Sequence, residues 1–187
     1  LGKTTMVGDQ GGPFSYPGDY FSAAAPEKYK IKGSFGHPVP VVDGKTQSSG
    51  AKAKAIVLRK EFANDKDLFC IDYTSAYSTP NLNKLTRTFI YDRQGEGCFT
   101  VSDEFTANAP VRFETAVTTQ ADWKVLDGTR LLLTTETEQM VVDVEASGKV
   151  VFTSETIEVN SPAYTRIGIA LKEQSEKGYI RLKMQAK

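Results

Sequence analysis

The sequence predicts an all-β protein built as an antiparallel two-sheet β-sandwich. Three observations support this fold class. Segments rich in Val, Ile, Thr, Phe and Tyr alternate with a period of two, turn residues interrupt them roughly every ten positions, and no long stretch has a helical period. Strands joined by short connections, without helices between them, are typical of antiparallel meanders rather than of a βαβ sheet.

Eleven segments meet the strand pattern, and each is bounded by turn residues. In chain order the predicted strands are 39–42, 51–62, 67–73, 82–93, 98–105, 112–119, 129–135, 140–145, 150–157, 164–171 and 179–184. A chain of 187 residues can bury a sizeable core, and residues 1–187 are expected to form a single domain.

The segments 82–93 and 98–105 predict a β-hairpin around Gln94-Gly95-Glu96-Gly97. Apolar residues occupy the odd positions of both segments, so directly opposed residues must have numbers whose sum is even. This favours a loop of Gln94 to Glu96, with Gly95 or Gly97 at a positive φ. The resulting pairs are Tyr91 with Phe99, Phe89 with Val101, and Arg87 with Asp103. Arg87 is therefore interpreted as a partnered arginine at the edge of the core, with a cationic sugar-acid site as the alternative.

Composition limits the partners and the redox chemistry. Lys and Arg together number 23, as do Asp and Glu, so no overall basic field attracts nucleic acid or an anionic membrane. No apolar run of membrane-spanning length is present. Cys70 and Cys98 are expected to be free, because the hairpin register places a strand between them and separates them by roughly 9 to 10 Å.

The first fifty residues differ from the rest, since they combine many glycines and prolines with aromatic residues. We interpret residues 1–50 as a long structured loop, because a flexible linker would lack the rings. Tyr16, Tyr20 and Tyr29 are candidates for stacking on pyranose rings. The alternative is that these rings only hold the loop against the sandwich.

The order of residues in this region resembles the opening of the C-terminal β domain of heparinase II/III-like polysaccharide lyases. The similar stretches are Val7-Gly8-Asp9-Gln10-Gly11-Gly12-Pro13-Phe14-Ser15-Tyr16 and Gly36-His37-Pro38-Val39-Pro40-Val41-Val42-Asp43-Gly44-Lys45-Thr46-Gln47. Ala76-Tyr77, the segment 85–93 and the segment 101–105 continue the resemblance, which covers about residues 7 to 113.

The resemblance implies a larger parent protein, periplasmic or secreted, in which an upstream helical domain packs on this β domain. Acidic, uronate-containing polysaccharide would bind between the two domains and be cleaved by β-elimination. Because the family's catalytic residues come largely from the helical domain, no residue of this chain is assigned a catalytic role and the chain is expected to be inactive alone. His37, Tyr16, Tyr20 and Tyr29 are the expected substrate-binding residues.

The resemblance also implies a zinc ion, which the family holds with two histidines and an aspartate. Asp9 and His37 match two of these positions, but Leu1 to Gly8 contain no counterpart of the first histidine. Either the fragment begins after that residue or this branch has lost the metal, so zinc is not established as a cofactor. The alternative role for His37 is structural or on the substrate side.

Three classes of function remain open from the sequence. The first is the lyase domain, the second is a non-catalytic carbohydrate-binding module, and the third is a structural or adhesion sandwich. A complete enzyme is the least favoured, because no Ser/His/Asp set, phosphate loop or paired-carboxylate motif is recognised.

Overall fold

The computed structural model of this protein describes residues 4–9, 12–158 and 162–187. Its two antiparallel sheets pack face to face, which confirms the predicted all-β sandwich. Among the described residues, the only α-helix is a single turn, α1 (Ala25–Lys28). No helix in the described ranges is long and apolar enough to cross a membrane.

Twelve strands make up the two sheets. They are β1 (Val41–Val42), β2 (Ile56–Phe62), β3 (Lys66–Asp72), β4 (Leu82–Asp92), β5 (Cys98–Val111), β6 (Phe113–Thr119), β7 (Asp122–Asp127), β8 (Arg130–Thr134), β9 (Gln139–Ala146), β10 (Val150–Ile157), β11 (Tyr164–Leu171) and β12 (Ser175–Ala186).

The small sheet has the order β1-β6-β11-β10, and the large sheet has the order β2-β3-β4-β5-β12-β9-β8-β7. The main core lies between them and is formed by alternate residues of facing strands. It includes Leu85, Phe105, Phe113, Leu131, Leu133, Val142, Ile167, Ile169, Ile180 and Leu182. This alternation of buried and outward-facing positions is what the period-two pattern predicts.

The hairpin register is confirmed. Tyr91 pairs with Phe99, Phe89 with Val101, and Arg87 with Asp103. Gly95 and Gly97 both have positive φ, at 60° and 77°, whereas the sequence required only one of them. β3 pairs with the other edge of β4, so Cys70 and Cys98 lie on strands separated by a third, and both cysteines are free as expected.

Several predicted strand bounds were wrong. β7 was not predicted, and β5 continues to Val111 rather than ending at Phe105. The segment 51–62 forms a strand only from Ile56, and 39–42 only from Val41. β1 ends in a tight turn in which Asp43 and Gly44 have φ of 50° and 70°. Two positive φ values at the centre of a two-residue turn are typical of a type I′ hairpin.

A buried polar network links the two sheets. Asp103 accepts hydrogen bonds from Arg87 Nε and Nη2 at 2.7 and 2.8 Å, from Tyr73 Oη at 2.7 Å, and from Thr115 Oγ1 at 2.6 Å. Arg87 Nη1 also donates to the carbonyl of Pro38 at 2.7 Å. Burial alone would lower the pKa of Arg87, but the adjoining Asp103 carboxylate raises it above its ordinary value. The partnered interpretation of Arg87 is therefore confirmed.

The N-terminal segment packs against both faces of the small sheet. The hydroxyl of Thr119 donates to the carbonyl of Met6 at 2.6 Å, and Met6 is buried in the main core. Further along, Tyr20 and Ile31 pack with Ile157 and Tyr164 in a second, smaller apolar cluster. The described part of residues 1–50 is thus attached to the sandwich by both hydrogen bonds and apolar packing.

Candidate functional site

Asp9 and His37, which are 28 residues apart in sequence, lie side by side in the structure. His37 Nδ1 is 2.8 Å from both carboxylate oxygens of Asp9, and Nε2 is 3.1 Å from the carbonyl oxygen of Ile31. A carboxylate and a carbonyl oxygen can only accept hydrogen bonds. Each ring nitrogen of His37 therefore already faces an acceptor within the chain.

Backbone contacts hold Asp9 at the end of β6. The amide of Gly8 donates to the carbonyl of Thr118 at 3.1 Å, and the Thr118 hydroxyl donates back to the carbonyl of Gly8. These contacts fix the residue that precedes Asp9 to the end of β6. Gln10 and Gly11, which belong to the motif of the resemblance, lie outside the described residues.

His37 is fixed from the other side by a tight turn. A Cβ atom on Gly36 would lie 2.3 Å from the carbonyl oxygen of Lys30, so only glycine fits directly before the histidine. The hydroxyl of Tyr164 donates to the carbonyl of Gly36 at 2.8 Å. Together with the bond from Arg87 to Pro38, this anchors both neighbours of His37 to the sandwich.

Tyr164 was not among the predicted site residues, yet it lies beneath the Asp9–His37 pair. Its side chain is 2 % exposed, and burial together with the negative charge of Asp9 raises its pKa to about 12. Tyr164 stands at an outward-facing position of β11, where the alternate residues Ile167 and Ile169 face the core. The one sequence signal was thus an aromatic residue at an outward-facing position of a strand whose alternate residues are apolar.

The three predicted tyrosines belong to one aromatic cluster but differ in exposure. Tyr16 and Tyr20 have ring centroids 5.0 Å apart, Tyr16 and Phe21 also 5.0 Å, and Tyr20 and Tyr29 5.5 Å. Tyr16 is 59 % exposed and Phe21 is 74 % exposed, whereas Tyr20 is only 6 % exposed. Tyr20 is therefore the buried base of the cluster, which contradicts its expected role as a ring open to a sugar.

Tyr29 is half-buried, and its hydroxyl donates to Asp19 at 2.6 Å. The rings open to solvent are those of Phe14, Tyr16 and Phe21. Phe14 and Phe21 were not singled out from the sequence, because a list of aromatic residues in a loop does not tell which of them face outward. The aromatic cluster reaches the Asp9–His37 pair through Tyr20, which packs with Ile31 and Tyr164.

Cations surround the same region. Lys32 Nζ lies 5.1 Å from the ring centroid of Tyr20 and 5.4 Å from that of Phe21. It donates to the carbonyl of Tyr20 and forms no ion pair with a carboxylate of the described residues. Lys28 and Lys30 are paired with Asp19 and Glu155. Lys32 is therefore the lysine near the exposed rings whose charge is not neutralised by an ion pair among the described residues. Its charge can attract an anionic ligand.

Arg166, which follows Tyr164 on the outer face of β11, is a second cation near the site. It is 3 % exposed, it donates from Nη1 to Glu114 Oε1 at 2.6 Å, and its Cζ lies 4.3 Å from the ring centroid of Phe35. Its Nε and Nη2 have no partner among the described residues. Stacking on Phe35 gives this buried guanidinium a favourable contact other than hydrogen bonding.

The geometry does not complete a zinc site. Asp9 and His37 come together as the resemblance implies, but the described residues hold no group of three or more His, Cys, Asp or Glu side chains that could bind a metal ion. Each nitrogen of His37 also already faces an acceptor of the chain. A zinc site of useful affinity needs at least three protein ligands, so the residues present do not by themselves fit the metal.

Solved structures with a similar fold are known, although no protein-family model and no curated protein matches the sequence itself. A heparan sulfate lyase, HepC from Pedobacter heparinus, has a similar structure with a TM-score of 0.71 at 16 % identity, and the match covers 98 % of this chain and 28 % of that chain.

Two further structures agree with this comparison. A heparinase III with methylated lysines gives a TM-score of 0.73 at 12 % identity, over 98 % of this chain and 28 % of that chain. Another heparinase III gives a TM-score of 0.67 at 16 % identity, over 88 % and 25 %. At such identities the likeness concerns the fold alone, and for the fold the predicted resemblance to heparinases is confirmed. The chain spans less than a third of the length of these structures.

Proposed function

We propose that this chain is the β-sandwich domain of a heparinase II/III-like polysaccharide lyase, which cleaves acidic, uronate-containing polysaccharide by β-elimination. The observation that carries the proposal is the fold likeness to heparinase III over 98 % of the chain. The pairing of Asp9 with His37, two residues expected from the motif to lie together, supports it independently. The resemblance further leads us to expect a periplasmic or secreted location.

Elimination at a uronate has three chemical requirements. The carboxylate must be neutralised, a base must remove the proton at C5, and an acid must protonate the departing glycosidic oxygen. Lys32 offers a positive charge for the first requirement, and the rings of Tyr16 and Phe21 offer flat faces for the sugar. We assign the base and the acid to the remainder of the parent protein, so the isolated chain is expected not to cleave.

The proposed role of the Asp9–His37 pair is positioning. Each nitrogen of His37 faces an acceptor of the chain, so the pair holds the segment 31–37 against residues 6–9 rather than presenting a free donor to substrate. This fixes the loop that carries Lys32 at the rim of the site. Accurate placement of such a loop matters because the catalytic groups of the partner domain must meet the sugar at hydrogen-bond distance.

The parent chain also needs a surface on which its helical domain packs, and the large sheet offers one. We call this surface the aromatic overhang, defined as Phe62, Phe69, Phe89, Tyr91 and Phe99. Register places these residues on the core-facing side of β2 to β5, where β2 is exposed along its whole length. Phe69, Phe89 and Phe99 follow one another with centroids 6.4 and 6.3 Å apart.

The aromatic overhang is continuous with the candidate site. A cavity of about 170 Å³ is lined by Phe89 and Phe99 of the overhang and by Val7, Gly8 and Pro38, the near neighbours of the site residues. A domain that closes over Asp9 and His37 would therefore also cover these rings. Exposed apolar patches of this kind mark interaction surfaces, and the occupant we propose is the helical domain of the same parent chain.

The test compares this chain with a version extended upstream through the helical domain. Both are mixed with heparan sulfate, chondroitin sulfate and alginate, and the ultraviolet absorbance of unsaturated uronate products is followed. We expect signal from the extended protein alone. Tyr16→Ala/Phe21→Ala in that protein should raise KM about tenfold, which corresponds to about 1.4 kcal/mol of lost contact between the rings and the sugar. The control Val125→Ala/Leu126→Ala, which truncates two exposed apolar residues of β7, should not raise KM.

The alternative function is a non-catalytic carbohydrate-binding module, which is favoured by the open rings of Phe14, Tyr16 and Phe21. This function predicts that the isolated chain binds acidic oligosaccharide and that the extended protein releases no unsaturated product. Absence of cleavage by the extended protein on all three polymers, with binding retained, would replace the lyase proposal by this one.

A further inference from the structure

The outer face of the large sheet, on the far side of the sandwich from Asp9 and His37, carries a polar groove. Two adjoining depressions of about 430 and 570 Å³ share Glu104 and run along β4, β5 and β12. We call them together the outer groove. From Cys98 to Thr106 it follows β5 for about 26 Å at the usual rise of a strand, which is long enough for several sugar rings.

Small hydroxyl side chains form the floor of the outer groove. Ser102 lies directly between Thr88 of β4 and Arg181 of β12, and Thr100 follows on the same face. These positions alternate with Val101 and Asp103, which face the interior. The floor side chains are short and the lining side chains on either side of them are long. The surface of the sheet is therefore lower along its middle.

One floor residue lacks a hydrogen-bond partner. Ser102 is 5 % exposed, and its Oγ makes no hydrogen bond to any described residue. A buried hydroxyl without a partner costs free energy, so it calls for an explanation. A ligand hydroxyl or sulfate oxygen lying in the groove would supply the missing partner.

The walls of the outer groove are predominantly cationic. The lining cations are Lys66, Lys84, Lys177, Arg181 and Lys183, and the lining acids are Asp92 and Glu104. None of the four lysines forms an ion pair in the part of the chain that the structure describes.

Two acids of β9 border the groove without lining it. Glu145 is paired with Arg181 at 3.0 Å, and Asp143 lies opposite Lys183 in the register. The lining itself nevertheless has an excess of positive charge in a chain of formal net charge +0. This local field attracts a polyanion.

We propose that the outer groove is a second binding site for acidic polysaccharide, separate from the Asp9–His37 region. A sugar polymer fits better than single-stranded nucleic acid, since the latter is bound on rows of aromatic rings. The groove has two lining rings and no row of them: Tyr179, whose hydroxyl is already bonded to Glu145, and Phe105, which is buried. A site on the opposite face would let the protein hold a long polymer while another stretch of it is processed.

The probe for the test is a sulfated heparin hexasaccharide, titrated calorimetrically into this chain with Tyr16→Ala/Phe21→Ala already introduced to weaken the first site. Lys66→Ala/Lys183→Ala should weaken binding about three- to tenfold, as expected for two exposed charge contacts. The charge-matched control Lys52→Ala/Lys149→Ala, which lies outside the groove, should change binding less than twofold. Equal losses in both variants would overturn the proposal.

Ser102→Ala separates a ligand contact from a structural role. Removal of an unpartnered hydroxyl should leave the melting temperature unchanged or raise it, while loss of a bond to ligand should weaken hexasaccharide binding about three- to tenfold. Unchanged affinity would argue against the groove. Binding of a neutral dextran hexasaccharide or of a single-stranded DNA oligonucleotide as tightly as the heparin probe would overturn the acidic-sugar assignment. Failure of lyase activity in the extended protein would leave these results unaffected.

Discussion

Asp103 accepts four side-chain hydrogen bonds in the interior of the sandwich, and its loss should be costly. Asp103→Ala leaves the Arg87 guanidinium buried without its counter-charge, which is expected to lower the free energy of unfolding by about 3 to 5 kcal/mol. Urea titration measures this loss. Glu61→Ala, which breaks the exposed pair with Arg59, is the control and should cost less than about 1 kcal/mol.

A second variant distinguishes the buried charge from mere loss of volume. Arg87→Met/Asp103→Leu removes both charges, so it should destabilise less than Asp103→Ala alone. A double variant that is less stable than the single one would show that the other contacts of Arg87, such as its hydrogen bond to the carbonyl of Pro38, outweigh the cost of its uncompensated charge.

Tyr164 gives the protein a pH-dependent contribution at the alkaline end. Its pKa is raised from 10.0 to about 12 in the folded state, so above pH 10 the unfolded chain loses this proton first. The contribution is fully present below pH 10 and disappears as pH rises through 12, and it amounts to about 3 kcal/mol.

The measurement is the free energy of unfolding from pH 9 to pH 12, compared with Tyr164→Phe. The wild type should lose more stability than the variant over this range, because the variant has no proton to release at this position. At neutral pH the variant should be about 1 kcal/mol less stable, since the carbonyl of Gly36 loses its donor. Parallel curves would show that other buried tyrosines cause the alkaline loss.

At the scale of single residues, sequence reasoning succeeded where contacts follow from strand register. The pairing of Arg87 with Asp103 and the separation of Cys70 from Cys98 both depend only on parity and strand order. It missed Tyr164 and the burial of Tyr20, because these depend on how a loop folds onto a distant strand. No local pattern encodes such a contact.

Among the elements, the β4–β5 hairpin depends on the backbone of its turn. Gly95 has a φ of 60°, and a Cβ atom at this position would meet no other atom within 4 Å, so Gly95→Ala introduces backbone strain without a clash. We expect a loss of about 1 kcal/mol in the free energy of unfolding. Gly128 lies equally open but has no positive φ, so Gly128→Ala should be neutral or slightly stabilising. Urea titration of both variants measures the difference, and equal effects of the two substitutions would contradict this explanation.

The strands that were predicted poorly from the sequence have few buried residues. Their sequences therefore lack the alternation of apolar and polar residues that indicates a strand. β7 is an edge strand whose six residues are almost all exposed, so Asp122–Asp127 gave no strong apolar pattern. The last part of β5 contains Asn108 and Pro110, which are typical of turns. Tertiary pairing with Leu82 and Ser175 keeps this part extended.

For the whole molecule, the aromatic overhang makes a prediction about the parent protein. An apolar fluorescent dye should bind this chain through the exposed rings, and Phe62→Ser/Tyr91→Ser should reduce the fluorescence at least about twofold. Val125→Ser/Leu126→Ser on β7 is the control and should have little effect. The upstream-extended protein should bind little dye if the proposed helical domain covers the overhang. Equal dye binding by both proteins would contradict this docking surface.

The attachment of the N-terminal segment also has a consequence for the order in which the protein is made. The carbonyl of Met6 accepts a hydrogen bond from Thr119, which lies 113 residues later in the chain. The carbonyl of Gly36 accepts one from Tyr164, which lies 128 residues later. A ribosome must therefore synthesise most of the chain before the segment that carries Asp9 and His37 finds its partners. Loop closure over such distances is slow relative to local hairpins. The candidate site should thus be among the last regions to form, and until then its aromatic residues are available to chaperones.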